Sequence, residues 1–396
     1  MIKNVNYKRK KCFLCYSKTI KKVREKLYLY HFGKKMIEYG ICKKCGLVLQ
    51  TLGPTKNEFI QFYKNNFYFE DFKKPSLDKI ISIKRQINHI KQECSLFPRN
   101  ILEVSLMSTY NLRLMQKEGA KILHGIEPSL ILSKNFKRNS KIKVFPKTIE
   151  NFNSKIKYDL IMMSHVLEHL NDPSLALKKC YNIQKYGQKI FIEVPLFEKT
   201  NLYPPSGLNV EHIYYFNEST LKNLIESNGY EILSVNKIYE STQLPFISVV
   251  AEKRSKIKKT KLDLKNYKIQ EKEIITYCNT IKKIYKKVDT VLDKIKKKEN
   301  TYILGTGFTA SCFLFYSKRI KKIKLKGILD NSSEKVSKKF LNFKIQKPDY
   351  NKFMNGSNII IATIGSVKEI MKNISKSNKS RLNFYAFDEK FNFIKV

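Results

Sequence analysis

The chain has no tryptophan, and nowhere in its 396 residues do the ~20 uninterrupted apolar residues occur that a membrane-crossing helix needs. No membrane span is expected. The opening segment, MIKNVNYKRKKC, is basic but has no apolar stretch behind it, so nothing directs export and a cytoplasmic protein is expected. A disulfide framework is also missing. Four of the eight cysteines stand in two close pairs near the N-terminus, while Cys94, Cys180, Cys278 and Cys312 are isolated and read as small apolar residues. Negative charge is scarce: 34 Asp and Glu face 77 Lys and Arg, a formal net charge of +43. Such an excess often marks a nucleic-acid binder. Here the lysines are spread over the whole chain, and the abundance of Lys, Ile, Asn and Tyr is that of an AT-rich coding sequence. The surface therefore favours anionic small molecules, and nucleic acid is not the expected partner.

With 42% hydrophobic residues and 12% aromatics, the chain reads as a folded protein too long for one ordinary core. The expected class is α/β, as a monomer or homodimer. The divisions are an N-terminal zinc-binding lobe over 1–60, a central Rossmann-like domain over 61–255, a helical linker over 256–300 and a second Rossmann-like domain over 301–396.

The N-terminal lobe rests on Cys12-Phe-Leu-Cys15 and Cys42-Lys-Lys-Cys45, separated by 26 residues. A two-residue gap lets both thiolates of a pair converge on one ion, and two pairs complete a tetrahedral four-sulfur set. Closed coordination implies a structural zinc ion. The residues between the pairs read as a hairpin turning near Gly33.

From residue 85 onward, strand and helix signals alternate, as in a parallel sheet wrapped by helices. The expected strands are 100–105, 121–128, 143–146, 158–165 and 189–195, with a late pair around YEILSVNKIY and FISVVAEK. Pro173 starts one of the helices and Gly187 follows its end. Glu103 and Glu127 close the first two strands, at the sheet edge where open α/β folds bind ligands. The fourth strand runs into SHVLEHLNDP (164–173), where one short helix is expected to carry His165, Glu168 and His169 on neighbouring turns.

In the linker, Ile274, Cys278, Ile281, Tyr285, Val288, Leu292 and Ile295 recur at spacings of four and three, one apolar stripe on a long helix that packs across its neighbours. Next, TYILGTGFTA sets a strand before Gly305-x-Gly307-x-x-Ala310 and a helix, and Asp330 follows at the end of the next strand. This pattern either aims backbone N–H groups at a phosphate or only allows close helix–strand packing.

The HVLEHLNDP run after a YDLI strand, the GIEP strand end and the IEVP strand together resemble class I S-adenosylmethionine-dependent methyltransferases. With the paired cysteines before GLVLQ and the later EHIYYF (211–216), the whole chain is similar to the zinc-containing sugar C-methyltransferases, which act on nucleotide-activated deoxysugars. The resemblance implies S-adenosylmethionine as cofactor, held by Glu103, Ser105, Glu127, Ser164 and His165, with Glu127 accepting from the ribose hydroxyls. It implies His212 as the base that removes a proton beside a ketone, with Glu211 and His169 orienting or stabilising. It also implies a nucleotide-sugar held by Tyr68 or Tyr63 behind the zinc lobe, Asn209, and the Gly305, Gly307 and Asp330 of the last domain. Two departures stand against this. The run Glu103-Val104-Ser105-Leu106-Met107-Ser108-Thr109 has no glycine where the family has E-x-G-x-G-x-G, and a positive φ there costs on the order of 1 kcal/mol. That leaves a non-catalytic nucleotide-sugar binder as an alternative. Asn209 stands where the C-methylating members carry tyrosine, which leaves O-methylation of a surface glycan or its precursor as another.

Overall fold

The structure, a computed structural model, describes residues 7–29, 35–65, 77–106, 108–129, 142–239, 244–255, 264–296, 299–332, 335–340 and 342–396. Three sheets organise them.

The first sheet begins with β1 (Tyr7–Lys8), β2 (Ile20–Leu29), β3 (Lys35–Cys42) and β4 (Val48–Gly53), hydrogen-bonded in the order β1-β4-β3-β2. β2 and β3 run antiparallel, so the expected hairpin forms; its turn at Gly33 falls outside the described residues. The helix Lys56–Asn65 follows, and Thr55 and Glu58 cap it reciprocally.

The central sheet uses β5 (Asn100–Val104), β6 (Ile122–Ile126), β7 (Ile142–Phe145), β8 (Leu160–Ser164) and β9 (Lys189–Pro195), all parallel. β8 and β9 are apolar along nearly their whole length because helices cover both faces. The chain then leaves this sheet. The two-residue β10 (Tyr214–Tyr215) pairs with β4, Tyr214 opposite Leu49 and Tyr215 opposite Val48, and so adds a strand to the first sheet. β11 (Tyr230–Ile238) and β12 (Phe246–Lys253) return, with β12 antiparallel to β9. The resulting order, β11-β12-β9-β8-β5-β6-β7, reverses direction between β5 and β8, the switch point at which doubly wound sheets bind ligands.

The last sheet contains β13 (Thr301–Leu304), β14 (Leu325–Leu329), β15 (Lys339–Phe340), β16 (Phe343–Gln346), β17 (Asn358–Ile361), β18 (Asn383–Phe387) and β19 (Phe393–Lys395). Its parallel core, β16-β14-β13-β17-β18, is doubly wound as well.

A helix over Leu264–Leu292 joins the parts. Every residue of the expected stripe, from Ile274 to Ile295, is buried in a cluster shared with Ile37 and Tyr39 of β3, Tyr203 and Tyr215, and Phe313 of the last unit. Each such apolar side chain stabilises by about 1.5–3 kcal/mol. The stripe is thus spent within the chain. Among the described residues, no helix is long and apolar enough to cross a membrane.

One local expectation fails. The 165–169 run is not a helix carrying three polar residues on successive turns. His165 has φ +55, and only a single 3-10 turn, Leu167–His169, follows. The chain reopens at Leu170 because Asp172 caps a fresh helix over Pro173–Asn182, accepting from the Leu175 amide at 3.0 Å with Pro173 in the first turn.

Candidate functional site

A cavity of about 580 Å³ lies over the carboxyl edge of β5, β6 and β8 and extends beneath the helix Lys56–Asn65. Glu103, Ser105, Glu127, Ser164 and His165 all line it. Sequence-distant strand ends thus converge where the topology reverses.

The chemistry of this edge comes from burial. Desolvation pushes the Glu103 carboxyl up to about 7, against a hydrogen bond from Asn111 Nδ2 to Oε1 at 2.8 Å; the other oxygen is buried with no hydrogen-bond partner. Desolvation raises Glu127 to about 7 as well, opposed by the Ser129 amide, which donates to Oε1 at 2.9 Å. Ser105 takes φ +64 and its amide donates to Ile126 O at 2.8 Å. The left-handed turn after β5 therefore falls on this small residue. Thr109, at φ −82, carries no such strain, and Met107 lies outside the described residues.

Ser164 and His165 are fixed from behind. Glu193 is buried in β9 with Arg85 Nη2 at 3.0 Å, Gln86 Nε2 at 2.6 Å and Ser164 Oγ at 3.3 Å. His165 places Nε2 3.6 Å from Glu193 and Nδ1 3.4 Å from Glu168. Burial alone lowers the pKa of His165; the two carboxylates override it and raise it. Glu168 is also desolvated, yet the adjacent His165 ring, directed at Oε1, holds its carboxyl below the usual range.

The far end of the cavity holds Tyr63, His169 and Glu211. His169 Nδ1 lies 3.1 Å from the Glu211 main-chain carbonyl and 3.0 Å from the Tyr63 hydroxyl. Nδ1 can donate to that carbonyl or accept from the Tyr63 hydroxyl, and in the tautomer that donates to the carbonyl Nε2 keeps its lone pair. Nε2 faces Glu168 at 3.7 Å. His212 packs edge-on against His169, with centroids 4.8 Å apart, but is only 8% exposed and stands behind the wall. Desolvation lowers its pKa to about 3. β10 positions this stretch: Gln50 of β4 takes the Ile213 carbonyl through its amide at 2.8 Å, and its side chain donates to the carbonyls of Val210 and His212.

Other expected residues lie elsewhere. Asn209 is a backbone hub, accepting from Tyr39 and Tyr215 and capping the Glu211 amide, and it does not line the cavity. Gly305, Gly307 and Asp330 are also outside it. Gly305 has φ +106, and a Cβ there would meet Ala362 O at 3.1 Å. Asp330 fills the glycine turn, accepting from the Thr306 amide at 3.1 Å and from its hydroxyl. Gly305 thus serves close packing in this structure, whereas a Cβ at Gly307 would meet open space. Tyr68 lies outside the described residues.

Cys12, Cys15, Cys42 and Cys45 converge, with Sγ–Sγ distances of 3.6 Å for Cys12–Cys45 and 3.4 Å for Cys15–Cys42. A tetrahedron with ~2.3 Å Zn–S bonds has edges of about 3.8 Å, so the donors fit a zinc ion. Neighbouring thiols push Cys12 and Cys45 up while pulling Cys42 down. The set cannot ionise together without a cation.

Residues 72–235 match a protein family described as "Methyltransferase domain". The chain carries a methyltransferase domain. No curated protein matches the chain. Among solved structures, a putative S-adenosylmethionine-dependent methyltransferase from Listeria monocytogenes is 14% identical, with 43% of this chain and 98% of that one covered at a TM-score of 0.35. The 1,6-didemethyltoxoflavin-N1-methyltransferase of Burkholderia thailandensis is 9% identical over 53% of this chain and 96% of its own, with a TM-score of 0.40. Magnesium protoporphyrin IX methyltransferase from Synechocystis is 12% identical over 51% and 100%, also at 0.40.

The methyltransferase domain supplies most of the cavity wall, including Asn111, Lys79, Lys147 and Asp172, none of them expected from the sequence. Lys56, Phe59, Phe62 and Tyr63 come from the helix behind the cysteine lobe. The aromatic spacing of FIQFY could have flagged that helix; the lysines could not be told from the lysines everywhere else.

Proposed function

We propose that the chain is an S-adenosylmethionine-dependent methyltransferase acting on a nucleotide-activated deoxy- or keto-sugar, with a structural zinc ion on Cys12, Cys15, Cys42 and Cys45. The observation that carries the reading is the single cavity. It runs from the β5–β8 switch point of the methyltransferase domain to the Tyr63–His169–Glu211 end under the cysteine lobe. That gives room for a cofactor and an acceptor side by side, with exposed Lys56, Lys79 and Lys147 around the space. Three cations around an apolar pocket suit a diphosphate-linked acceptor.

Glu127 would accept the ribose hydroxyls, and Glu103, Ser105, Ser164 and His165 would shape the remainder of the cofactor seat. When bound, S-adenosylmethionine supplies an electrophilic methyl group on a good leaving group, so the protein's work is mainly alignment and proton removal. Proton removal falls to the His169–His212 pair. His169 offers its Nε2 lone pair at the wall, and His212, kept neutral by burial, backs it.

The test is isothermal titration of zinc-loaded protein with S-adenosylmethionine and S-adenosylhomocysteine, followed by mass spectrometry of nucleotide-linked and free sugars incubated with labelled cofactor. A labelled methyl on the nucleotide-linked keto-sugar is expected. No heat up to millimolar cofactor sinks the enzymatic reading in favour of a non-catalytic binder. Methylation of free glycan hydroxyls alone sinks the nucleotide-sugar part.

A further inference from the structure

Glu168, His169 and His212 offer one ligand atom each within 4.8 Å of one another. We propose that they form a second metal site, for a first-row divalent cation, at the closed end of the cavity.

Three independent features point there. Glu168 is 1% exposed, and neither buried carboxylate oxygen has a well-formed hydrogen bond; the nearest donor is His165 Nδ1, 3.4 Å from Oε1. Carboxylates are normally kept in such places by donors or by a cation. His212 Nδ1 is likewise buried with no partner. His169 Nδ1 lies 3.1 Å from the Glu211 carbonyl, and in the tautomer that donates to it Nε2 is a lone-pair donor 3.7 Å from Glu168. A ring N–H bonded to a backbone carbonyl is the usual way a protein orients a metal-binding imidazole. The 3.7 Å gap is too long for a hydrogen bond and suits a bridging ion with bonds of about 2.1 Å to each atom.

Two imidazoles and one carboxylate leave coordination positions open and select manganese, iron, cobalt or zinc over calcium or magnesium. The cluster reaches the cavity through His169. The open positions therefore take an oxygen of the acceptor, a hydroxyl or carbonyl beside the methylated atom; with the ion bound, the two rings are ligands and no longer the base proposed above, and the cation polarises that oxygen so that water can take the neighbouring proton. The site differs from the cysteine cluster in donors: the four sulfurs favour a closed ion, and this set favours an open one.

The experiment uses the whole chain loaded with one zinc per chain and freed of excess zinc, without cofactor or acceptor. Mn2+ is titrated and followed by electron paramagnetic resonance, with metal content measured after gel filtration. One Mn2+ per chain beyond the zinc is expected, weakened at least tenfold in Glu168→Gln and in His169→Gln, and unchanged in Glu198→Gln, a carboxylate paired with Lys237 elsewhere. Co2+ gives a second reading, since nitrogen and oxygen donors lack the intense sulfur-to-metal band of a thiolate site. The proposal is overturned if wild-type protein holds no metal beyond the zinc at millimolar Mn2+, or if folded Glu168→Gln and His169→Gln both bind as wild type does. Methyl transfer by protein that binds no second cation overturns the metal site and leaves the methyltransferase reading intact.

Discussion

With Glu127 on the cofactor ribose, as proposed, it sets the pH range over which S-adenosylmethionine should bind. Its carboxyl is pushed by burial from an ordinary 4.5 up to about 7. A ribose diol donates hydrogen bonds and needs an ionised acceptor. At pH 7 about half the cofactor-free molecules have Glu127 ionised, and at pH 6 about one in eleven. Affinity should therefore fall about fivefold from pH 7 to pH 6 and rise less than twofold from pH 7 to pH 8. Binding at pH 6 should release close to one proton, seen as an enthalpy that varies with the ionisation heat of the buffer. Stability runs the other way. The folded-state value lies above the unfolded one, so the stabilisation is present below pH 4.5 and lost as pH rises through about 7, a loss of about 3 kcal/mol in the empty protein. Glu103, also at about 7, adds to it in the same sense. Glu127→Gln should then raise the melting temperature of the empty protein at pH 8 while lowering cofactor affinity by about 10–100-fold, as for loss of hydrogen bonds to a charged group. Titration calorimetry and thermal melts at pH 5.5, 6, 7 and 8 read both effects. A wild-type affinity flat across that range, or a Glu127→Gln protein less stable than wild type at pH 8, would refute the reasoning.

Three further outcomes follow from the structure. Cys42→Ser, or chelation of the metal, should melt the first sheet and release β10 from β4; far-UV circular dichroism should keep its central α/β signal while methyl transfer disappears. Ser105→Val should lose about 1–2 kcal/mol in urea unfolding, since a β-branched residue tolerates φ +64 poorly, whereas Ser105→Gly should stay within about 0.5 kcal/mol of wild type as relief of strain offsets greater freedom in the unfolded chain. Tyr63→Phe removes the hydroxyl beside His169 Nδ1 and should lower kcat more than it changes KM; unchanged kcat on the proposed substrate would count against Tyr63 orienting that ring.

The strands were legible because their residues say the same thing at every level. KIFIEVP is apolar and β-branched and becomes a strand buried on both faces, and even the short KVFP segment pairs as expected. The stripe from Ile274 to Ile295 was readable for the same reason. Glu103, Glu127, Ser164 and His165 could be placed together because strand ends in a doubly wound sheet share an edge. What stayed hidden depends on contacts distant in sequence. Tyr214 and Tyr215 are two residues with no period to detect, so their pairing with Val48 and Leu49, which carries His212 behind the wall, had no local sign. Arg85 and Gln86 look like ordinary helix-surface residues until folding sets them on Glu193. The 165–169 run has helix-forming composition, and nothing local announced the positive φ of His165 or the single 3-10 turn that stands there instead of a helix.

The strand exchange between β4 and β10 also bears on how the protein is made. β4 leaves the ribosome with its Val48–Leu49 edge open, and the segment that covers it follows about 160 residues later. At roughly 5–20 residues per second, that apolar edge waits on the order of 10–30 s. An unpaired edge is a template for association with other chains. If the two cysteine pairs bind zinc as proposed, they can gather the ion during synthesis and brace the lobe, so metal supply at that moment should govern how much of the chain escapes aggregation.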